Sequence, residues 1–348
     1  MRRLPIFIVA DVSESMAGEA IMQLQDGIEL LVRTLRSDPY ALETAYVSVI
    51  AFAGQAKTLS PLVELPSFFP PRLPVGSGTA LGNVLEHLMH EIDTQIIRTT
   101  AEKKGDFKPL VFLMTDGRST DDPSEAIKKW TRFYDTKVNL VVIGLGPYAN
   151  LEQLVMISPH ILRFEGSDEQ SFKKFINWIS SSVSAQSRSV SASETTGVSL
   201  AKPDDEILSK VDLNKNAVGQ DEDFALLVGK CQKRKLPYLM RFEREKQHIQ
   251  TSNFNLNIGK YHITSVIPLT KEFDELSAEG EYSQTINSDY LVGNPSCPHC
   301  GAMFALATCA CGQIFCIQGE GVAHCPGCDR DINMGYSDES FDINRSRG

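Results

Sequence analysis

The sequence predicts an α/β protein: a doubly wound, mostly parallel sheet with helices on both faces, then a small β-rich segment and a zinc ribbon-like module. Three observations predict it. Apolar runs of strand length at Ile6–Ala10, Tyr46–Phe52, Leu110–Met114 and Val138–Ile143 alternate with stretches of helical period. Alternation of that kind builds a parallel sheet whose strands are buried on both faces. A serine-rich stretch then breaks the alternation, and seven of the eight cysteines follow it between residues 297 and 328.

Taken in order, Ile6–Ala10 is a buried strand that stops at Asp11. Ile21, Leu24, Ile28, Leu31 and Leu35 recur at three and four, the mark of an amphipathic helix. Tyr46–Phe52 reads as the second strand and Lys57–Val63 as a short edge strand. Pro66, Pro70, Pro71 and Pro74 exclude regular structure after it. Leu81, Leu85, Leu88, Ile92 and Ile96 form the next helix, and Leu110–Met114 the next strand. A helix from about Pro123 has proline in its first turn, where no N–H is needed. Val138–Ile143, a short helix at 150–157, a strand at Ile161–Phe164 and a helix at Phe172–Ile179 complete a first domain spanning residues 1–182.

Between Ser180 and Ser199 there are nine serines and two threonines. A stretch with so few large apolar side chains does not offset its ordering entropy, so residues 183–222 are expected to be a linker. It is either a plain tether or a target for phosphorylation, which would add charge able to dock on basic surfaces. Residues 223–292, with strands expected at Phe224–Val228, Tyr238–Phe242 and Tyr261–Ile267, read as a separate β-rich module, and residues 293–335 as the cysteine module.

Composition narrows the function. The net charge of −10 argues against a general affinity for nucleic acid or anionic membranes. No apolar run is long enough to span a bilayer. The N-terminal Met1-Arg2-Arg3-Leu4 resembles the basic end of a signal peptide, but the apolar run stops at Asp11 with no cleavage site, so a cytoplasmic protein is expected. CxxC pairs in such a compartment read as metal ligands rather than disulfides.

The chemistry concentrates at strand ends. Asp11-Val12-Ser13-Glu14-Ser15 places a carboxylate at the carboxyl end of the first strand and two hydroxyls on alternating positions. Thr115-Asp116-Gly117 closes another buried run, and Val75-Gly76-Ser77-Gly78-Thr79 is a glycine-rich loop opening a helix. In open α/β sheets ligands bind at the carboxyl ends of strands. Taken singly, such residues more often cap helices or make turns, and Thr79 alone could be an N-cap. Together, two carboxylates and three hydroxyls with no His or Cys form a hard oxygen set suited to Mg²⁺ or Mn²⁺.

This combination resembles the metal-ion-dependent adhesion site of the von Willebrand factor A domain, over roughly residues 1–182. The resemblance implies that Ser13, Ser15 and Thr79 touch the metal and that Asp11 and Asp116 hold it largely through water. It further implies a sixth position left open for a partner's carboxylate.

Cys297-Pro-His-Cys300 and Cys325-Pro-Gly-Cys328 are two knuckles separated by 24 residues. Two such turns can complete one tetrahedral Cys₄ zinc site, and Met303–Ala307 with Gln313–Ile317 would supply the hairpin of a ribbon. Cys309, Cys311, Cys316 and His324 remain as ligands for a second zinc, with His299 an alternative to His324. A cross-braced, RING-like pairing also satisfies the count, as do buried reduced thiols at Cys309, Cys311 and Cys316. Residues 297–328 contain no Lys or Arg, which argues for a structural or protein-docking role rather than nucleic-acid binding.

An A domain, a serine-rich linker and a module of seven cysteines and a histidine together resemble the bacterial TerY proteins of the tellurite-resistance system. That resemblance implies a non-enzymatic, metal-binding adaptor in a stress response, working beside a protein kinase and a metal-dependent protein phosphatase. Two alternatives compete with it. A haloacid-dehalogenase-type phosphotransferase would need a second Asp two residues after Asp11, where this chain has Ser13. A scaffold acting through the zinc module alone would be indifferent to Asp11. No P-loop, dinucleotide fingerprint or Ser-His-Asp order is present.

Overall fold

The structure is a computed structural model. It describes residues 2–102, 104–117, 119–146, 149, 151, 153–164, 166, 169–192, 200–202, 208–210, 224–245, 249–251, 254–256, 259–278, 285–335 and 340–345. Packing divides the chain into two compact units, residues 1–219 and 220–348.

The first unit runs β1 (Leu4–Asp11), α1 (Glu19–Leu35), α2 (Pro39–Thr44), β2 (Ala45–Phe52), β3 (Ala56–Glu64) and α3 (Leu81–Gln95). It continues with β4 (Leu110–Thr115), α4 (Ser124–Phe133), β5 (Asn139–Leu145), β6 (His160–Phe164), α5 (Glu169–Ala192) and β7 (Leu208–Lys210). The sheet order is β3-β2-β1-β4-β5-β6-β7. The five inner strands are parallel, and β3 and β7 pair antiparallel at the two edges. This is the doubly wound sheet that the alternation predicts.

Period-two alternation divides β1 between two cores. Leu4, Ile6, Ile8 and Ala10 pack with α1 and α5, whereas Phe7 and Val9 pack with α3 and α4. Every residue of β1 and β4 is buried as a result. Each buried Leu, Ile or Phe of this kind contributes roughly 1.5–3 kcal/mol of transfer free energy. Gly27 lets α1 approach α5 closely, since a Cβ there would lie 2.6 Å from Phe172 and 2.7 Å from Ile176.

Two readings of the first unit need correction. The expected helix at 150–157 is a single short turn, Leu154–Met156. More consequentially, the expected linker does not begin at 183, because α5 runs on to Ala192. Val183 is fully buried in the core, and Ser180, Ser182, Gln186 and Ser187 are buried with it. Serine suits positions 180 and 182 because it is small and its hydroxyl finds a backbone partner there. Ser180 Oγ donates to the Ile176 carbonyl at 2.9 Å, and Ser182 Oγ accepts from the Ala201 N–H at 3.1 Å. Trp178 Nε1 donates to the Ala201 carbonyl, so the chain beyond the serines returns to the same domain. Leu208 of β7 is buried there too. Within the expected linker, residues 193–199, 203–207 and 211–222 lie outside the described residues.

The second unit contains β8 (Phe224–Lys230), β9 (Pro237–Arg244), β10 (Ile249–Thr251), β11 (Phe254–Leu256), β12 (Tyr261–Pro268) and α6 (Glu272–Leu276). Beyond these come β13 (Thr285–Asn287), β14 (Leu291–Val292), β15 (Phe304–Thr308), β16 (Ile314–Ile317), β17 (Gly321–His324), β18 (Asp331–Met334) and β19 (Asp342–Asn344). Its main sheet has the order β14-β12-β9-β8-β16-β15. The hairpin expected of a self-contained ribbon, β15–β16, is thus joined edge-on to the β-rich segment through a parallel β16–β8 pairing. Residues 223–292 and 293–335 share one sheet and one core.

Candidate metal centres

The strand order reverses at β1, whose neighbours are β2 and β4, and such a switch point opens a crevice at the strands' carboxyl ends. Asp11 ends β1, and Thr115 ends β4 beside it. Asp11, with no solvent exposure, accepts the Ser13 N–H at Oδ1 (3.0 Å) and the Thr115 hydroxyl at Oδ2 (2.6 Å). The Ser13 and Ser15 hydroxyls lie 3.0 Å apart, and Ser15 donates to Asp116 Oδ2. Gly117, at φ +99°, allows the sharp turn and donates its N–H back to Thr115 Oγ1. Four of the five residues singled out in the sequence therefore form one hydrogen-bonded cluster.

Thr79 joins them through backbone. Its N–H donates to Thr120 Oγ1 at 2.9 Å, and its carbonyl accepts the Thr120 N–H at 2.8 Å, which ties it to the loop carrying Asp116. It is not the cap of α3. The Asp121 carboxylate takes that part, accepting the Gly82 and Asn83 N–H groups at 3.1 Å each.

Two residues of this site were not singled out as ligands in the sequence. Thr115 orients Asp11, as described. Glu14 is 1% exposed, and its Oε2 accepts the Gly78 N–H at 2.8 Å. Its other oxygen, Oε1, is buried with no hydrogen-bond partner. A lone glutamate between two serines reads as exposed, and only the tertiary packing encloses it in the site.

The electrostatics favour a cation. Burial, then the charge of Asp116, push the Asp11 carboxyl up to about 8, against the hydrogen bonds from Thr115 and Ser13. Burial pushes Glu14 up to about 7, partly offset by Ser77 and the Gly78 amide. Among the described residues, no basic side chain is a main influence on either one. Crowded carboxylates and hydroxyls fit a hard divalent ion, which would restore Asp11 and Glu14 to their charged forms.

The cysteines separate into two clusters that differ from the expected sites. Cys231, Cys297, Cys300 and Cys316 form one, and Cys309, Cys311, Cys325 and Cys328 the other, with the sulfurs in each all within 4.8 Å of one another. The Cys300–Cys316, Cys309–Cys328 and Cys311–Cys325 Sγ atoms are each 3.7 Å apart. A tetrahedron of thiolates at the usual Zn–S distance of about 2.3 Å has edges of about 3.8 Å, so the spacing suits zinc.

The expected pairing of Cys297, Cys300, Cys325 and Cys328 on one ion is therefore wrong, because each knuckle heads its own cluster. The order of ligands along the chain alternates between clusters, which is the cross-braced arrangement. His324 is not a ligand either. Asp331 and Asp329 hold its Nδ1 and Nε2 at 2.9 and 2.8 Å, leaving neither ring nitrogen for a metal. His299 hydrogen-bonds the Pro237 carbonyl through Nε2 at 2.7 Å and pins β9.

The eighth thiol of the two clusters is Cys231, which the sequence reading set aside because it lies outside the cysteine-rich window. Backbone geometry shows why it belongs. At each of Cys231, Cys297 and Cys325 the cysteine N–H donates to the carbonyl five residues on, and its own carbonyl accepts the N–H four residues on. The residue at that fourth position has positive φ in all three turns: Lys235 (57°), Gly301 (71°) and Asp329 (59°). Cys231 therefore opens a knuckle whose second ligand position is Arg234. The β16–β8 register, with Phe315 opposite Lys230, brings Cys316 alongside Cys231 to complete the set.

Several amides also point at sulfur, among them Gln232 N–H to Cys316 (3.3 Å) and Gly327 N–H to Cys325 (3.4 Å). Burial opposes ionisation at Cys325, but the Cys328 and Gly327 amides bring that thiol down to about 7. Thiolate is the form that binds metal.

Residues 6–178 match the von Willebrand factor type A domain, and residues 221–348 match the TerY-C metal binding domain. The class is thus a von Willebrand factor A protein with a C-terminal metal-binding module. Within that class, the two matches together correspond to the arrangement of a TerY-like protein.

Among solved structures, a von Willebrand factor type A protein from Catenulispora acidiphila is 18% identical, over 53% of this chain and 43% of its own, at a TM-score of 0.40. Proximal thread matrix protein 1 of the mussel byssus, with a zinc-occupied MIDAS motif, is 20% identical over 52% and 48%, at 0.37. BatB from Bacteroides thetaiotaomicron is 19% identical over 51% and 97%, at 0.36. The chain spans less than half the length of the first two. No curated protein matches the sequence. Among the described residues no helix is long and apolar enough to cross a membrane.

Proposed function

We propose that this chain is a non-enzymatic, metal-dependent adaptor that binds partner proteins. Ser13, Ser15 and Thr79 would hold Mg²⁺ or Mn²⁺, with Asp11 and Asp116 acting largely through water. When bound, the ion supplies a positive centre able to accept a carboxylate from outside. The chain's own residues set that property: neutral hydroxyls contribute no charge, so positive charge is left for the incoming ligand. Both oxygens of Asp11 already accept hydrogen bonds, which assigns it charge and orientation. Two zinc ions, one in each cysteine cluster, would hold the C-terminal domain in shape for protein docking.

The observation that carries this reading is the single hydrogen-bonded cluster of Asp11, Ser13, Ser15 and Asp116 at the switch point of the sheet. The TerY resemblance extends it to a bacterial stress-response set in the cytoplasm, with a protein kinase and a metal-dependent protein phosphatase as partners. Hydrolase chemistry is disfavoured because the place for a general acid two residues after Asp11 holds Ser13.

The test is partner capture by the full chain with and without Mg²⁺. Asp11→Ala should abolish Mg²⁺-dependent capture while the fold survives. Equal capture by Asp11→Ala, with or without chelator, would discard the reading. Retention of all partners after removal of residues 1–182 would favour a scaffold acting through the zinc module.

A further inference from the structure

Glu14 is the buried ionisable group that the adaptor reading leaves unused. We propose that it is a third acidic group of the cation site, its charge acting on the bound ion while its Oε2 fastens the loop that carries Thr79. The inference rests on the cation reading above.

Three observations carry it. The residue lies in sequence between the proposed ligands Ser13 and Ser15, is 1% exposed, and leaves Oε1 buried without a partner. An ionised carboxylate so placed is costly unless a positive charge compensates it. Asp116, of the same sign, acts on it, and among the described residues no basic side chain does so. In this proposal the bound ion supplies that compensation. Finally, its one hydrogen bond of resolved geometry goes to the Gly78 amide, adjacent to Thr79, where φ is +87°. Glu14 thus joins the first ligand loop to the second. A site with three carboxylates holds a divalent cation more tightly than one with two, and it leaves less positive charge to attract an outside ligand.

Glu14→Gln separates the two roles, because glutamine keeps an acceptor for the Gly78 N–H and drops the charge. Mg²⁺ and Mn²⁺ alone are titrated calorimetrically into the full chain as wild type, Glu14→Gln and Asp11→Ala. Glu14→Gln should lose on the order of tenfold or more in affinity for both ions. Its metal-free melting temperature should stay close to that of the wild type, because the acceptor for the Gly78 N–H is kept.

Wild-type affinity in Glu14→Gln would reduce Glu14 to a loop fastener and overturn the inference, with the cation reading intact. No binding by the wild type would overturn both. Should Glu14→Gln fail to fold, Glu14→Asp decides. It keeps the charge and withdraws from Gly78, so it should retain most of the affinity, and a loss matching Asp11→Ala would refute the charge role.

Discussion

The two units hold their metal sites in opposite ways. In the first, the oxygen site sits on the rim of a sheet whose two cores are built from Leu, Ile, Val and Phe. In the second, the sulfurs are part of the core: Cys231, Cys297 and Cys316 are buried in its main cluster, and Cys309 and Cys325 in a smaller one. A hard cation on the rim would act on a domain whose cores are already apolar, whereas a second unit without zinc would have crowded thiols in its interior.

The sharpest way to break this contrast is chelation. A strong zinc chelator should unfold the second unit and leave the first, because structural zinc is worth on the order of 10 kcal/mol or more to a small domain. Both tryptophans, Trp130 and Trp178, lie in the first unit, so their fluorescence should not change while thiol reactivity rises. A joint loss of both signals would show that the units are not independent.

Next in size, Cys231→Ser should lower the zinc content from two ions to one by elemental analysis, whereas retention of two would restore the ribbon pairing. Val183→Asp should destabilise the first unit by roughly 3 kcal/mol or more, since it buries an unpaired carboxylate. Urea unfolding followed by tryptophan fluorescence measures it, and a neutral result would return residue 183 to a linker.

A smaller effect concerns pH in Mg²⁺-free buffer. Asp11 is held up to about 8 and Glu14 to about 7, above their ordinary values of 3.8 and 4.5. The folded state therefore binds more protons than the unfolded chain between those limits. Stability of the first unit should fall as pH rises from 4 to 8, and Mg²⁺ should flatten the slope. Asp11→Asn should remove its share of that slope. Smallest of all, His324→Ala should leave the zinc content unchanged, because two carboxylates rather than a metal hold its ring.

Much of the first unit was legible in the chain. Strands buried on both faces must be continuously apolar, and a carboxylate directly after such a run marks the sheet's functional end. The serine-rich part of α5 was not legible, because composition counts serine as a solvated residue. Against a close-packed neighbour it is a small side chain whose hydroxyl bonds the preceding turn. Glu14 escaped for a related reason. A lone glutamate between two polar residues reads as exposed, and only the approach of Gly78, 64 residues away, encloses it. Cys231 lacked the second cysteine that makes a knuckle recognisable. Its signal was the cysteine at the end of a β-strand followed by the basic turn Gln232–Lys235. That turn also places exposed Lys233, Arg234 and Lys235 on a metal module whose own window, 297–328, has no Lys or Arg.

The sequence alone determined the class of fold, the oxygen donors at the strand ends and the presence of zinc-type knuckles, because each is encoded within a few neighbouring residues. Only the tertiary structure decided which knuckle takes which remaining thiols, how Thr79 reaches the Asp116 loop and where Glu14 is enclosed. Those depend on strand register and loop approach between residues tens of positions apart. A one-residue change in the β16–β8 pairing would separate Cys316 from Cys231 without altering any local motif.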